Sequence, residues 1–350
     1  MMTPRPLMLA FVLSLTPFAA DAGVRRVWAV HDGEKVERDA SRHPASGRNA
    51  IWDGRVVRLF GARNEIVAFQ VIVEADARGV DALSLRLPVL ASSGDRITYR
   101  PPAADPTDLV DRPIQIFSVH YMHVETPSHA SWVYDRKSPA APPDPTGWKP
   151  VQLVPENARP GRGGLPVSIG PRQNQAIWIE VYIGRDRAPG TYRGTIEIRA
   201  DGTRRTVPIE LQVFGFTLPD ENSMHAMLYY SSDQPERYHG RNLDPVYHRF
   251  AHRHRVELVH AYTEHTLPPV MGRFSGADFT REHGYDGPGA GVGNVIAPRS
   301  FYGPGRDFDD RASAWAHSDA WMTFLREKLP RVITFLYMPD EPRPPAYPRI

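Results

Sequence analysis

The sequence predicts a chain in two parts, an N-terminal antiparallel β-sandwich followed by a parallel α/β region. From Val24 to Leu218, short segments of alternating apolar and polar residues follow one another without a helical pattern between them, which favours a sandwich. After Pro219, strand patterns alternate with helical ones, as is typical of parallel α/β structure. The length of 350 residues is sufficient for two domains, each with its own core.

The N-terminus has the pattern of a secretory signal peptide. A basic start containing Arg5 precedes a short apolar run and the A-x-A motif of Ala20 and Ala22. The run is too short to span a bilayer, and the alternative is a buried N-terminal helix. We therefore predict a secreted or periplasmic protein, cleaved near Ala22, that does not insert into a membrane afterwards.

Composition and charge exclude several kinds of partner. The chain has 42 basic and 40 acidic residues, a formal net charge of +2, so neither nucleic acid nor an anionic membrane is predicted to bind it. It contains no cysteine, which excludes disulfides and cysteine metal sites. Its 35 prolines favour loops and β-structure over long helices.

The first part is predicted to consist of short strands joined by turns. The predicted strands are 24–30, 65–73, 114–124, 176–182, 191–198 and 206–213. The last two flank the turn Asp201-Gly202 and alternate apolar with polar residues on both sides of it. This pattern indicates a β-hairpin.

Two long passages rich in proline and glycine interrupt the predicted elements. The first, residues 126–171, carries Trp132, Tyr134 and Trp148 and is interpreted as a long loop of the sandwich. The second, residues 263–310, follows a predicted strand of the second part. Loops of this length inside a compact domain are uncommon and are usually functional.

The second part is predicted to alternate strands and helices. Strands are predicted over 224–230, 256–262 and 332–337, and helices over 244–253 and 312–329. Asp244 and Pro245 suit the N-cap and first position of the first helix. The second helix is amphipathic, and its apolar side is predicted to comprise Trp315, Ala316, Trp321, Phe324 and Leu325.

The last predicted strand leads to two adjacent carboxylates, Asp340 and Glu341. Pro339 and Pro342 flank them and disfavour a helix there. Carboxyl ends of strands are where parallel α/β barrels place their catalytic groups, so the pair is our principal candidate catalytic site. The alternative is a solvated turn that caps a strand.

Carboxylates placed this closely can perform acid chemistry near neutral pH. Two charges ~5 Å apart at an effective dielectric constant of ~20 repel by ~3 kcal/mol, about two pKa units. Such repulsion raises the pKa of one glutamic acid above ~6 while its partner stays ionised. Glycoside cleavage needs an acid of this kind to protonate the leaving oxygen.

Aromatic and polar residues at the predicted strand ends are candidate substrate-binding residues. The tyrosines concerned are Tyr229, Tyr230, Tyr262 and Tyr337. Sugar rings stack on aromatic faces, and the alternative for each tyrosine is core packing. Glu264 and His265 follow Tyr262 and are expected to project from the same end.

Neither a metal site nor a nucleotide loop is predicted. His248 and His252 have i, i+4 spacing on a predicted helix, which suits a metal, but no HExxH motif is present and an exposed helix face is favoured. The alternating glycines from Gly287 to Gly293 follow no strand and open no helix, unlike a dinucleotide loop. We predict no cofactor and no metal.

Two stretches carry a resemblance to a known family. They are Gly61–Val71, and Ala188–Ile196 continued by Val207–Pro219. Both resemble the N-terminal sandwich of glycoside hydrolase family 123 and of relatives carrying the domain of unknown function 4091. In that family a (β/α)8 barrel follows the sandwich and carries an Asp-Glu pair in a context similar to Tyr337–Pro342.

The resemblance implies a multidomain β plus α/β fold, with an antiparallel β-sandwich followed by a partial (β/α)8 (TIM-type) barrel. After the signal peptide that the N-terminus predicts over 1–22, it implies a sandwich domain over 23–220 and an incomplete glycosidase-like domain over 221–350. It further implies a β-N-acetylhexosaminidase of the N-acetylgalactosaminide type with a glycan substrate. Glu341 would be the general acid/base, and Asp340 would orient the 2-acetamido group whose oxygen attacks the anomeric carbon.

The part of the chain after the sandwich is too short for a complete barrel. From Met224 to Ile350 the chain supplies about half of the ~250 residues of a full barrel. We therefore expect either a piece of a longer protein or a relative without the second half of the barrel. The alternative function is a non-catalytic secreted protein whose sandwich binds carbohydrate or protein beside a degenerate half barrel.

Overall fold

The computed structural model describes residues 23–40, 42–126, 138, 146–159, 161–300 and 310–337. The predicted signal peptide, Trp132 and Tyr134, and the carboxylates Asp340 and Glu341 lie outside these residues. The predictions made for them therefore stay predictions. Within the described chain, no helix is long and apolar enough to cross a membrane.

The described chain is mostly β-structure. Its strands are β1 (Val24–His31), β2 (Val57–Arg63), β3 (Glu65–Ala75), β4 (Val80–Arg86), β5 (Val89–Ala91), β6 (Arg96–Thr98), β7 (Ile114–Val124), β8 (Gly147–Pro155), β9 (Val167–Ile169), β10 (Asn174–Ile183), β11 (Gly190–Ala200), β12 (Thr203–Thr217), β13 (Ala226–Tyr229) and β14 (Val256–Val259). Its α-helices are α1 (Asp233–His239), α2 (Asp244–Arg253), α3 (Gly272–Ser275) and α4 (Arg311–Lys328). Short 3-10 turns cover Pro44–Ser46, Pro268–Val270, Ala277–Phe279 and Arg281–His283.

The first twelve strands form two sheets. One has the order β1-β3-β10-β7-β8, and the other has the order β2-β12-β11-β4-β9 with β5 and β6 attached to β11. All neighbours are antiparallel except β2 and β12, which pair in parallel. The prediction of an antiparallel sandwich is wrong for that pair, because the long chain between β2 and β12 supplies the crossover that a parallel pair needs.

Side chains from both sheets share one hydrophobic core. Trp28, Phe69 and Ile177 from the first sheet belong to the same buried cluster as Tyr192 and Leu211 from the second. Alternation along β11 and β12 sends one set of side chains to this core and the other towards solvent. Burial of this apolar surface is the main force that holds the two sheets together.

The predicted β11–β12 hairpin is confirmed, whereas the loop predicted over residues 126–171 is only partly confirmed. Asp201 and Gly202 both have positive φ, 48° and 84°, as a two-residue hairpin turn requires. Strands β8 and β9 lie inside the passage interpreted as a loop, and Trp148 pairs with His123 on β7. β8 occupies a sheet edge, where its prolines are tolerated but obscure the strand pattern.

Four segments of the second part run in the same direction. β13 pairs in parallel with β14, and the Tyr262 N–H donates to Pro298 O at 2.9 Å on the other side of β14. Parallel bridges join Ile296 to Ile333 and Ser300 to Leu336. The result is half of a barrel sheet, and a complete (β/α)8 barrel is not found in the residues that the structure describes.

The predicted loop over 263–310 is therefore wrong where residues 295–300 form a sheet segment. The carboxylate of Glu257 accepts the backbone N–H groups of Val295 and Ile296, each at 2.9 Å. These bonds dock the segment beside β14. Its stabilising contacts are distant in sequence, which explains why local pattern did not reveal it.

Helix α4 packs against this sheet as predicted, except at Trp315 and Ala316, which are both exposed. Trp321 and Leu325 are buried in a cluster with Tyr262, and the Trp321 indole donates to Thr334 Oγ1 at 2.8 Å. Trp315 is 60% exposed, so its predicted place on the apolar side is wrong. The Arg311 guanidinium lies over its ring instead, 4.4 Å from the centroid.

Candidate active site

The carboxyl ends of the parallel segments meet along one edge, as the sequence predicts. The Tyr230 N–H donates to Val259 O at 2.8 Å, where β13 and β14 end. The Tyr337 N–H donates to Ser300 O at 3.1 Å, where the last two segments end. We call this the carboxyl edge. Asp340 and Glu341 follow Tyr337 in the chain but lie outside the described residues.

An acidic and a basic side chain face each other at the carboxyl edge. Glu264 Oε2 lies 3.9 Å from Arg299 Nη2, and Glu264 Oε1 lies 3.7 Å from the ring of His265. Glu264 is mostly buried, whereas His265 projects into solvent. The predicted binding residues Glu264 and His265 thus lie at the carboxyl edge, and Arg299 lies there beside Glu264.

Arg299 is a candidate binding residue that was not predicted from the sequence. It lies in the 295–300 segment, within the passage interpreted as a loop, and its side chain is buried. The signal that marks the segment is the short apolar run Val295-Ile296-Ala297 ahead of Pro298. A buried guanidinium beside a carboxylate is a donor that can bind sugar hydroxyl or carbonyl oxygens.

The four candidate tyrosines differ in accessibility. Tyr229 is exposed, and Tyr230 and Tyr337 are half-buried. Tyr262 has only 1% of its surface exposed and packs edge-on against Phe274, with ring centroids 5.6 Å apart. Tyr262 is therefore a core residue, which was the alternative for each tyrosine. The other three tyrosines remain accessible candidates for binding a substrate.

Tyr230 stands between the carboxyl edge and helix α2. Its ring stacks on Tyr247 at 5.9 Å and meets the ring of His248 edge-on at 5.4 Å. Burial, followed by the negative charge of Asp244, raises the pKa of its hydroxyl above the usual range. The hydroxyl is therefore protonated at neutral pH, and its oxygen is buried on the side of Asp244.

The histidines of helix α2 do not form an exposed face, so that prediction is wrong. His248 is buried, and its Nε2 accepts from Arg273 Nη1 at 2.9 Å. Arg273 also pairs with Asp244. Helix α2 begins at Asp244 and its N-cap is Leu243, so the predicted N-cap role of Asp244 is wrong by one residue. Burial, then the Arg273 charge, lowers the pKa of His248 far below its usual value.

His252 is covered by the chain between Phe279 and Asn294. Its ring stacks on Phe279 with centroids 3.6 Å apart. Its two ring nitrogens lie 3.1 Å from Asn294 Oδ1 and 3.0 Å from Gly289 O. The described residues contain no group of three or more acidic or histidine side chains placed to hold a metal.

A cavity of about 580 Å³ lies at the opposite, amino end of the sheet. Asp220, His225, Arg255 and Glu257 are among its lining residues. Burial raises the pKa of Glu257, whose carboxylate already accepts two backbone N–H groups. Residues at the amino ends of barrel strands generally serve stability, so this cavity is not the candidate active site.

The fold is similar to that of a family 123 glycoside hydrolase from Clostridium perfringens, at 13% identity and a TM-score of 0.44, covering 79% of this chain and 42% of that one. It is also similar to the N-terminal domain of PorA, at 10% identity and a TM-score of 0.23, over 55% of this chain and 99% of that one. A third similar structure is the CooA pilin subunit of enterotoxigenic Escherichia coli, at 13% identity and a TM-score of 0.21, over 47% of this chain and 91% of that one. The chain thus spans less than half the length of the hydrolase. No protein-family model matches the sequence, and no curated protein matches it.

Proposed function

We propose that this chain is a secreted glycoside hydrolase-like protein that cleaves β-linked N-acetylhexosaminides, of the N-acetylgalactosaminide type, with retention of configuration. Glu341 is the general acid/base, and Asp340 orients the 2-acetamido group of the substrate. The observation that carries the proposal is the position of Tyr337. Its segment, joined to the sheet by bridges at Ile333 and Leu336, ends at the carboxyl edge, and Asp340 and Glu341 follow three and four residues later in the sequence.

The proposed reaction has two displacements at the anomeric carbon. In the first, Glu341 gives its proton to the glycosidic oxygen, the bond from that oxygen to C1 breaks, and the acetamide oxygen bonds to C1. In the second, Glu341 takes a proton from water, whose oxygen attacks C1 and displaces the acetamide oxygen. Each step inverts C1, so the product retains the β configuration, and no carboxylate nucleophile is needed.

The carboxyl edge offers groups suited to bind such a substrate. The Arg299 guanidinium is a donor for hydroxyl or acetamide oxygens, and Glu264 is an acceptor for sugar hydroxyls. Tyr229 and Tyr337 present aromatic rings on which a sugar face can stack. We assign these side chains to substrate binding rather than to bond cleavage.

Hydrolysis of an aryl β-N-acetylgalactosaminide by the full-length gene product tests the proposal. We expect turnover in the parent protein and loss of ~100-fold or more in Glu341→Gln, which removes the proton donor. Glu282→Gln, a change at an exposed glutamate, is the matched control and retains parent activity. Parent-like activity in Glu341→Gln refutes the assignment.

A second candidate function, carbohydrate binding without catalysis, is favoured by one surface feature. Phe60 on β2 and Phe214 and Phe216 on β12 lie side by side, with centroids 5.7 and 5.8 Å apart. Phe60 is 68% and Phe216 is 55% exposed. A row of exposed rings on a sheet face is suited to stacking on a saccharide chain.

Binding without turnover distinguishes this candidate from the first. It predicts that the chain is retained on a glycan column, that it does not cleave the glycan, and that Phe60→Ser with Phe216→Ser abolishes retention. Phe250→Ser, at another exposed phenylalanine, is the control. Equal retention of the parent and the double variant excludes the phenylalanine row as the binding surface.

A further inference from the structure

A cavity rich in guanidinium groups lies where the sandwich meets residues 281–286. Its volume is about 410 Å³, within the range of small-molecule sites. Its charged lining residues are Arg96, Arg100, Arg112, Arg187, Arg281, Asp111, Asp186 and Asp286. Five arginines thus face three carboxylates, so the cavity wall carries excess positive charge.

Contacts between the two parts of the chain hold this wall in place. The Leu109 N–H donates to Gly284 O at 3.0 Å, and the Asp111 N–H donates to Asp286 Oδ2 at 3.0 Å. Asp111 holds a φ of 58°, a left-handed conformation that surrounding contacts must enforce in a non-glycine residue. The wall is therefore preorganised rather than a loose surface.

The three carboxylates are already used by two of the arginines. Arg281 pairs with Asp111 at 2.9 Å and with Asp286 at 3.0 Å. Arg187 pairs with Asp186 at 2.7 Å. Arg100 reaches Asp111 only at 3.6 Å, on a carboxylate that Arg281 already binds.

Arg96 and Arg112 form no ion pair with any carboxylate of the described residues. Arg112 is only 8% exposed. Its Nη1 donates to the backbone oxygens of Pro106 and Asp108, and its buried Nε has no hydrogen-bond partner. Burial lowers the pKa of its guanidinium. The negative charges of Glu156 and Asp108 oppose this shift, but neither carboxylate forms an ion pair with Arg112. A buried cation that lacks a direct ion pair is unfavourable, and an anion in the cavity would relieve that cost.

We propose that this cavity binds a small organic oxyanion, a carboxylate or a sulfate, through Arg96 and Arg112. Guanidinium groups bind both anions with paired, charge-assisted hydrogen bonds. The proposal does not rest on the hydrolase assignment, because no residue of the carboxyl edge lines the cavity. It assigns the chain a second ligand site, of a chemistry different from that of a neutral N-acetylhexosamine.

Titration calorimetry on the full chain at low ionic strength tests the proposal. The probes are glucuronate, N-acetylglucosamine 6-sulfate, inorganic sulfate and, as the neutral control, glucose. We expect one or both acidic sugars to bind, with affinity that falls as salt is added, and glucose not to bind. Arg96→Gln is expected to weaken binding about tenfold, because it removes one charged hydrogen-bond donor.

Variants separate a specific site from general charge attraction. Arg96 is exposed, so its replacement leaves the fold intact and decides the question even if Arg112→Gln does not fold. Arg25→Gln, at an exposed arginine of β1, lowers net charge equally and is expected to bind as the parent does. No binding of either acidic sugar, binding of inorganic sulfate alone, or equal affinities of the Arg96 and Arg25 variants overturns the proposal.

Discussion

Nη1 of Arg273 donates a hydrogen bond to Nε2 of His248 at 2.9 Å, and both side chains are buried. Since a guanidinium only donates, Nε2 must be unprotonated and the imidazole is neutral. Protonation of His248 would place a second positive charge against Arg273 in the interior. The contact therefore depends on pH.

The protein is expected to lose stability in mild acid. The pKa of His248 is lowered in the folded state, whereas in the unfolded chain it is near 6.5. Below that pH the unfolded state binds a proton that the folded state does not. The free energy of unfolding therefore decreases by about 1.4 kcal/mol for one histidine with each unit by which the pH is lowered. His252 and His260 also have lowered pKa values and add to the slope.

Urea unfolding between pH 7.5 and pH 5 measures this slope. His248→Gln should be less stable than the parent at pH 7.5 but should lose less stability on acidification. His265→Gln, at a strongly exposed histidine, should keep the parent slope. An unchanged slope in His248→Gln would refute the role given to the Arg273 contact.

Asn64 is expected to be important for the stability of the junction between the two parts. Its buried amide Nδ2 donates to Leu218 O at 2.9 Å and to Asp220 Oδ1 at 2.8 Å, while Oδ1 accepts from the Tyr182 hydroxyl at 3.0 Å. Asn64→Ala removes these bonds, and we expect a loss of about 3 kcal/mol in the free energy of unfolding.

Two further variants check the cause of that loss. Asn64 has a φ of 63°, which glycine adopts more easily than alanine, so Asn64→Gly should be about 1 kcal/mol more stable than Asn64→Ala. Asn157→Ala removes one exposed bond to Ala103 O and should cost well under 1 kcal/mol. Equal stability of the Asn64 and Asn157 alanine variants would contradict this account.

The two tryptophans of helix α4 provide a matched pair for a packing prediction. Trp321→Ala should cost about 3–5 kcal/mol, because the buried indole leaves a cavity and its bond to Thr334 is lost. Trp315→Ala removes a 60% exposed ring and should cost about 0.5 kcal/mol. Denaturant unfolding of both variants measures the difference, and similar losses would show that the helix is docked in another orientation.

Sequence alone predicted the elements whose signal is local. The alternation on both sides of Asp201-Gly202 specifies the β11–β12 hairpin, and the apolar run of β7 sets that strand's limits. It failed where the deciding contacts are distant in sequence. The 295–300 segment is held by Glu257 and by residues 333–337, and helical period cannot show that Phe279 covers His252.

In the candidate site, too, some features could be predicted from the sequence and others depend on tertiary contacts. Strand ends near Tyr230 and Tyr337 were correctly assigned to one edge, because parallel strands must place their carboxyl ends together. The spacing of apolar residues and the residue types could not reveal that Tyr262 faces the core and that Arg299 lies at the carboxyl edge. Those outcomes depend on which segment lies beside β14, and that is a tertiary contact.

Leaving-group dependence of hydrolysis tests the central claim most directly. With 4-nitrophenyl and 2,4-dinitrophenyl β-N-acetylgalactosaminides, Glu341→Gln should lose ~100-fold or more on the first substrate. It should lose much less in the first chemical step on the second, because dinitrophenolate leaves without a proton. Equal loss on both substrates, or full activity on both, would contradict the assignment of Glu341 as the general acid.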